Sequence, residues 1–408
     1  MSHQLKEFSE RFQKGVPQEC DSEMECNGQA MCCAFNRHGT LFAVGCRNGT
    51  ILIWDYLTRS KAKTIHASLL SAIISLSWSQ NGKYLVCASS SSSILVFDVL
   101  EGDCIKTFEL PSHSTKVQFH PKLNDVFLAC TARHSAVVVN MKNGFKTVPS
   151  LDTDESKVIG AFDTEGTHLY IGNSTGKLYV YSYDDFTLKA SFRVTNTPQV
   201  LKSISFSKCG RYYTVNAADR ILRVYSSEEV LICGVNGEPE PLQKLQDIVC
   251  RAGWTGCCFS GDGEYICAGS LSKNELFIWK RDLGNLVEVL RWKNGRGFQD
   301  VDWHPTEPSI ISLSRNIVTL WRKTPIDNWP AFIPGFTELD DNIEDDEKDL
   351  EFYINNGGKK PVKENNNDDE LLEVDVVNVS PSNRSANVEL EDALLYLPAF
   401  PAPGIDED

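Results

Sequence analysis

Seven copies of one pattern recur about every 43 residues in this 408-residue chain, and no other feature narrows its possible folds so far. The first copy is the clearest. Phe35-Asn36-Arg37-His38-Gly39 leads into Leu41-Phe42-Ala43-Val44-Gly45, then Asn48-Gly49, then Ile51-Leu52-Ile53-Trp54-Asp55. It reads as strand, turn, strand, turn, strand, and a repeat of this period closing on Trp-Asp marks a β-propeller blade. The closing aromatics fix the register: Trp54, Phe97, Tyr181, Tyr225, Trp279 and Trp321, with Val139 standing in for the third copy. A glycine turn precedes the second strand at Gly39, Gly82, Gly166, Gly210 and Gly263, whereas the third and seventh copies use His120-Pro121 and His304-Pro305. Glycine supplies a positive φ and proline a fixed φ, the two backbone states such turns use.

One blade cannot bury both of its faces, so seven blades must close a ring. The expectation is an all-β chain: a seven-bladed propeller over residues 28–325, preceded by an N-terminal segment 1–27 and followed by a tail 326–408. The start of the N-terminal segment suits one short amphipathic helix, and Gln18–Gln29 is the candidate to donate an outer strand to the last blade. A step of 54 residues between Tyr225 and Trp279 exposes an insertion within Leu231–Trp254. Pro239 and Pro241 argue against regular structure there. A tolerated surface loop and a contact element are both open readings of it.

Charge separates the wheel from the tail. Gly335–Asp408 holds 21 Asp and Glu against 5 Lys and Arg, a net of −16, which leaves the rest of the chain at +1. An acidic pI therefore does not exclude a basic rim, because local field outweighs net charge. Lys280–Arg296 is locally basic through Lys280, Arg281, Arg291, Lys293 and Arg296, against Asp282 and Glu288. The tail is polar and low in complexity, which predicts disorder, since it cannot bury enough apolar surface to offset ordering. Three islands interrupt it: Trp329–Phe336 running on to Ile354, Leu371–Val379, and Ala393–Pro398. Such islands order on a partner or fold back onto the propeller. Lys359-Lys360-Pro361-Val362-Lys363 is either a weak nuclear-import patch or incidental.

Fourteen cysteines sit mostly inside predicted strands, as Cys46, Cys87, Cys130 and Cys267 do, and none has zinc-ligand spacing. Reduced thiols in cytosol or nucleus account for them. No apolar run is long enough for a membrane span. No phosphate loop, HExxH or GxSxG motif is present, so the expectation is a chain without catalytic residues, cofactor or metal.

Several segments resemble the retinoblastoma-binding protein 5 family, the WD-repeat subunits of COMPASS/MLL-type histone methyltransferase complexes. They are Leu41–Leu57, the insertion Gly237–Asp247, Cys257–Tyr265, and in the tail Asn328-Trp329, Glu338–Asp340, Glu351-Phe352, Glu373–Val376 and Ala393–Pro398. The resemblance implies a nuclear, non-catalytic scaffold that helps methylate the fourth residue of histone H3. It implies contact with a SET-domain methyltransferase and a SPRY-domain (Ash-type) subunit through Trp329, Phe332, Phe336, Leu339, Glu347, Glu351, Phe352 and Ile354. A smaller WD-repeat subunit would take Glu373, Val374, Asp375, Val376 and Val379. Nucleosomal DNA would face Arg220 and Arg251, with Lys273 beside the family's third basic position at Ser272, and Lys293 or Arg296 at the fourth. The bland reading of Arg220 is a solvated charge paired to Asp219. The other functional class is an unrelated WD-repeat adaptor in another multiprotein complex, and co-purification of a SET-domain protein separates the two.

Overall fold

The structure, a computed structural model, describes residues 15–67, 71–149, 157–247, 253–292 and 297–323. Each repeat forms one four-stranded antiparallel sheet, and there are seven such sheets. In blade 1 the strands are Ala30–Phe35, Leu41–Cys46, Thr50–Asp55 and Lys61–His66, from the axis outwards. The second strand is buried along its whole length and the third nearly so, which is why both read as unbroken apolar runs. The fourth lies at the rim and carries Lys61 and Lys63. The closing aromatics Trp54, Phe97, Tyr181, Tyr225, Trp279 and Trp321 all fall on third strands, as does Val139. They pack against second-strand partners such as Phe42, whose ring stacks on Trp54 at 6.4 Å.

The ring closes on itself. Inner strands touch in sequence from Ala30–Phe35 round to Asp300–Trp303, which returns to Ala30–Phe35. Blade 7 takes its inner three strands from Asp300–Trp303, Ser309–Ser314 and Ile317–Arg322. Its outer strand comes from Glu19–Glu25, registered from Glu19 opposite Arg322 to Glu25 opposite Ile317. Met24 and Cys26 are buried there with Phe42, Trp54 and Leu320, so the joint contributes apolar core as well as backbone hydrogen bonds.

Inner-strand side chains stitch neighbouring blades. Ser75 and Ser77 hydroxyls accept from the backbone N–H groups of Val117 and Phe119, and the Gln118 amide oxygen accepts from Phe162 N–H. At the closing junction carboxylates take this role. Asp300 accepts from Cys33 N–H at 3.1 Å and Asp302 from Phe35 N–H at 3.0 Å.

His120 and His304 are stitches too, not merely turn residues. Nδ1 of His304 accepts from Thr306 and Glu307 N–H, so Nε2 bears the proton and donates to Gly39 O at 3.0 Å in the next blade. His120 does the same with Lys122, Leu123 and Gly166 O. A Cβ at Gly39 would stand 2.1 Å from His304 Nε2, so the turn glycine and the histidine require each other.

The insertion differs from expectation. It opens with a helix, Ser227–Cys233, and ends in a short outer strand, Gln243–Leu245, of blade 5. The span between them, which carries the two prolines, is irregular, and it is pinned to blade 4 through Ser191 N–H to Gly234 O and Asn236 N–H to Ser191 Oγ. All thirteen cysteines in the described residues are free thiols.

Candidate nucleic-acid interface

Two of the four basic positions singled out in the sequence, Arg220 and Lys273, lie in equivalent turns of adjacent blades. Arg220 sits between strands Tyr212–Ala217 and Leu222–Ser226 of blade 5. Its φ of +69° is a left-handed state that costs a side-chain-bearing residue free energy unless its surroundings enforce it. Three hydrogen bonds do so. Arg220 N–H donates to Ala217 O at 3.3 Å, Ile221 N–H donates to Asp219 Oδ1 at 3.2 Å, and the Trp254 indole N–H donates to Arg220 O at 2.9 Å. The bland pairing of Arg220 with Asp219 is not the one observed: the second oxygen of Asp219 meets Arg223 at 2.5 Å, a largely buried ion pair inside the turn.

Lys273 lies in the blade 6 turn between Tyr265–Ser270 and Glu275–Lys280. Its N–H donates to Ser270 Oγ, and its ammonium stands 3.6 Å from Glu275. Glu275 is shared with Arg291, at 3.2 Å, whose side chain is 77% exposed. Pairs that are only partly buried in this way are worth about 0–1 kcal/mol.

Arg251 and Arg296 lie outside the described residues, as does Lys293. So do the tail positions from Trp329 to Ile354 and from Glu373 to Val379, and the N-terminal helix expected before Gly15. The described residues that flank the basic positions are anchored. Gly253 O accepts from Leu271 N–H, and Gly297 N–H donates to Asn274 Oδ1 at 2.6 Å, so both reach the Lys273 turn. Sequence reasoning missed Trp254 and Asn274. The signal for the first was legible: other inner strands begin with Ala30, Ile73, Ser114 and Leu201, and only blade 6 places an indole there.

Further cavities lie elsewhere among the described residues. An axial channel of about 410 Å³ is lined by the inner strands of all seven blades. Asp300 and Asp302 face it, and burial pushes their carboxyls up to about 6 and about 7, while burial lowers the Lys116 ammonium, which donates to Ile204 O. A groove of about 940 Å³ runs between the outer strand Leu188–Arg193 of blade 4 and the insertion. Among the described residues no group of three or more His, Cys, Asp or Glu is placed to hold a metal ion, and no helix is long and apolar enough to cross a membrane.

The model of the WD domain, G-beta repeat, matches residues 18–55 and 60–98. The chain is 41% identical over 411 residues to the retinoblastoma-binding protein 5 homolog of Drosophila melanogaster, covering 98% of this chain and 84% of that protein. It is 34% identical to the retinoblastoma-binding protein homolog 5 of Caenorhabditis elegans, covering 92% and 85%. The Set1 complex component swd1 of Schizosaccharomyces pombe is 28% identical, covering 88% and 91%. Among solved structures, the Cps50 (Swd1) beta-propeller domain of Myceliophteria thermophila superposes with a TM-score of 0.69 at 24% identity, covering 76% of this chain and all of that one.

Proposed function

Because this chain belongs to the retinoblastoma-binding protein 5 family of WD-repeat proteins, we propose that it is a non-catalytic, nuclear scaffold subunit of a COMPASS/Set1-type histone H3 lysine methyltransferase complex. In this reading the wheel orients the complex on nucleosomal DNA through Arg220, Arg251, Lys273 and Arg296. The tail engages the SET-domain and SPRY-domain subunits through Trp329–Ile354 and the smaller WD-repeat subunit through Glu373–Val379, and so activates the enzyme.

One observation carries the reading. The described blades end at Arg322, yet the similarity to the Drosophila relative spans 98% of the chain and must therefore include much of the tail. A generic propeller adaptor would match over the wheel alone. Trp329, Phe332 and Phe336 are large apolar groups that follow the last blade directly, a composition suited to a partner's surface. Deleting Gly335–Ile354 should leave the propeller's thermal transition intact while methylation by the reconstituted complex falls at least tenfold. Undiminished methylation would refute the activating role.

A further inference from the structure

The Arg220 turn of blade 5 and the Lys273 turn of blade 6 are joined, and tied on to blade 7, by a brace of hydrogen bonds to backbone groups. Trp254 N–H of the indole holds Arg220 O. The preceding residue, Gly253, offers its carbonyl to Leu271 N–H, which opens the Lys273 turn. Phe298 N–H then donates to Ser270 O at 3.1 Å, Gly297 N–H donates to Asn274 Oδ1, and Ser314 Oγ donates to Gly297 O at 3.2 Å. Contact here is close enough to demand glycine. Gly297 has φ +64°, and a Cβ on it would stand 2.1 Å from Leu271 O.

The backbone part of this linkage is general to the wheel, since Leu271 N–H to Gly253 O repeats the bonds of Arg47 N–H to Gln29 O and Ala218 N–H to Val200 O; the side-chain bonds of Trp254 and Asn274 are what this stretch adds. Its effect is local to the rim. Each turn loses the freedom to move independently of the next, and the strained φ of Arg220 is fixed by a side chain from the neighbouring blade. A cationic side chain whose backbone is fixed loses less entropy on meeting a phosphate than one on a mobile turn.

We propose that Trp254 and Asn274 are positioning residues of the rim. They carry no charge and touch no phosphate, yet they set the affinity for duplex DNA by fixing the backbones of Arg220 and Lys273 in one arc. The proposal rests on the DNA-facing reading of that rim, and its test separates the two.

Binding of the full chain to a labelled duplex DNA of mixed sequence is measured as a function of salt. Arg220→Gln and Lys273→Gln should each weaken binding and reduce the salt slope by about one. Asn274→Ala and Trp254→Phe should each weaken binding about three- to tenfold while the salt slope stays at the wild-type value, since the phosphate contacts still form but from a looser backbone. The losses should be non-additive: Asn274→Ala should have no further effect in a Lys273→Gln background, nor Trp254→Phe in an Arg220→Gln background. Trp254 is deeply buried, so if Trp254→Phe fails to melt cooperatively, Asn274→Ala decides alone. Unchanged binding by the two Gln variants would remove the DNA-facing rim, and the brace proposal with it. Weakened Gln variants beside an unaffected Asn274→Ala, or an Asn274→Ala loss that persists in the Lys273→Gln background, would overturn the positioning role while leaving the rim in place.

Discussion

Asp300 and Asp302 do at the seventh junction what hydroxyls and an amide do at the second and third, and the substitution of carboxylates has a pH consequence. Each accepts two backbone N–H bonds, which favours the charged form, yet burial wins and raises both carboxyls, to about 6 and about 7. The folded chain therefore holds these protons more tightly than the unfolded chain. Their stabilising contribution is complete below the ordinary carboxylate value near 4 and is lost as pH rises through 6 to 7. His304 has the opposite sign. Burial lowers it to about 4, so its contribution is complete above about 6.5 and is lost as pH falls through 4. The two trends offset each other between pH 4 and 6.5. Replacing Asp302 with Asn removes one of them, and the melting temperature of that variant should fall more steeply on acidification than that of the wild type. Because the channel leaves Asp302 partly accessible to water, the differential across the window should be about 1–3 kcal/mol. Parallel pH profiles for the two proteins would show that Asp302 keeps an ordinary acidity.

Elements that follow from periodicity were legible in the sequence, and elements that follow from a single local contact were not. Third strands were fixed by their aromatics, and the Gly39 and Gly166 turns by the backbone state they need. An outer strand within Gln18–Gln29, observed as Glu19–Glu25, was inferred from topology alone, since a ring of sheets leaves one strand to be supplied from the other end of the chain. The helix Ser227–Cys233 escaped because it is seven residues long, too short to develop an apolar period, and Pro239 and Pro241 drew the whole insertion towards an irregular reading. At the rim, Arg220 and Lys273 were singled out by the family resemblance, and the repeat then placed them in like turns of adjacent blades. The unusual indole of Trp254 was legible, but not its partner, because it reaches a carbonyl 34 residues earlier, nor the choice by which Asp219 selects Arg223 over its neighbour. In the tail, the sequence alternates along Glu373–Val379, and if the segment is extended when bound, Val374 and Val376 share one face. If that face fills apolar pockets in the smaller WD-repeat subunit, each valine is worth about 1.5–3 kcal/mol when fully buried. A peptide of this segment should bind that subunit, and Val374→Ala with Val376→Ala should weaken it more than tenfold in a titration. Equal affinities would remove the segment from the interface.

For the whole molecule, the sequence sets a nearly neutral wheel beside a strongly acidic tail, and in the proposed complex the first would present a surface and the second peptides. If the rim of blades 5 and 6 meets nucleosomal DNA, reversing Arg220, Arg251 and Lys273 to Glu should impair methylation of nucleosomes at least tenfold while sparing a free histone H3 peptide. The wild-type advantage should shrink as salt rises. An equal loss on both substrates would place the defect in folding or assembly. The way the ring is sealed has a further consequence, for biosynthesis. Glu19–Glu25 leaves the ribosome before every other described strand, and its partner Ile317–Arg322 follows nearly 300 residues later. At translation rates of about 5–20 residues per second, the first strand waits roughly 15–60 s with an unpaired edge. The blades made in between have a first and a last member that cannot yet meet. Until blade 7 emerges, the nascent chain is an open stack whose exposed end strands invite pairing with other chains. Chaperone demand should therefore be greatest late in synthesis, and a pause just before Ser309 would be more dangerous to this protein than one anywhere earlier.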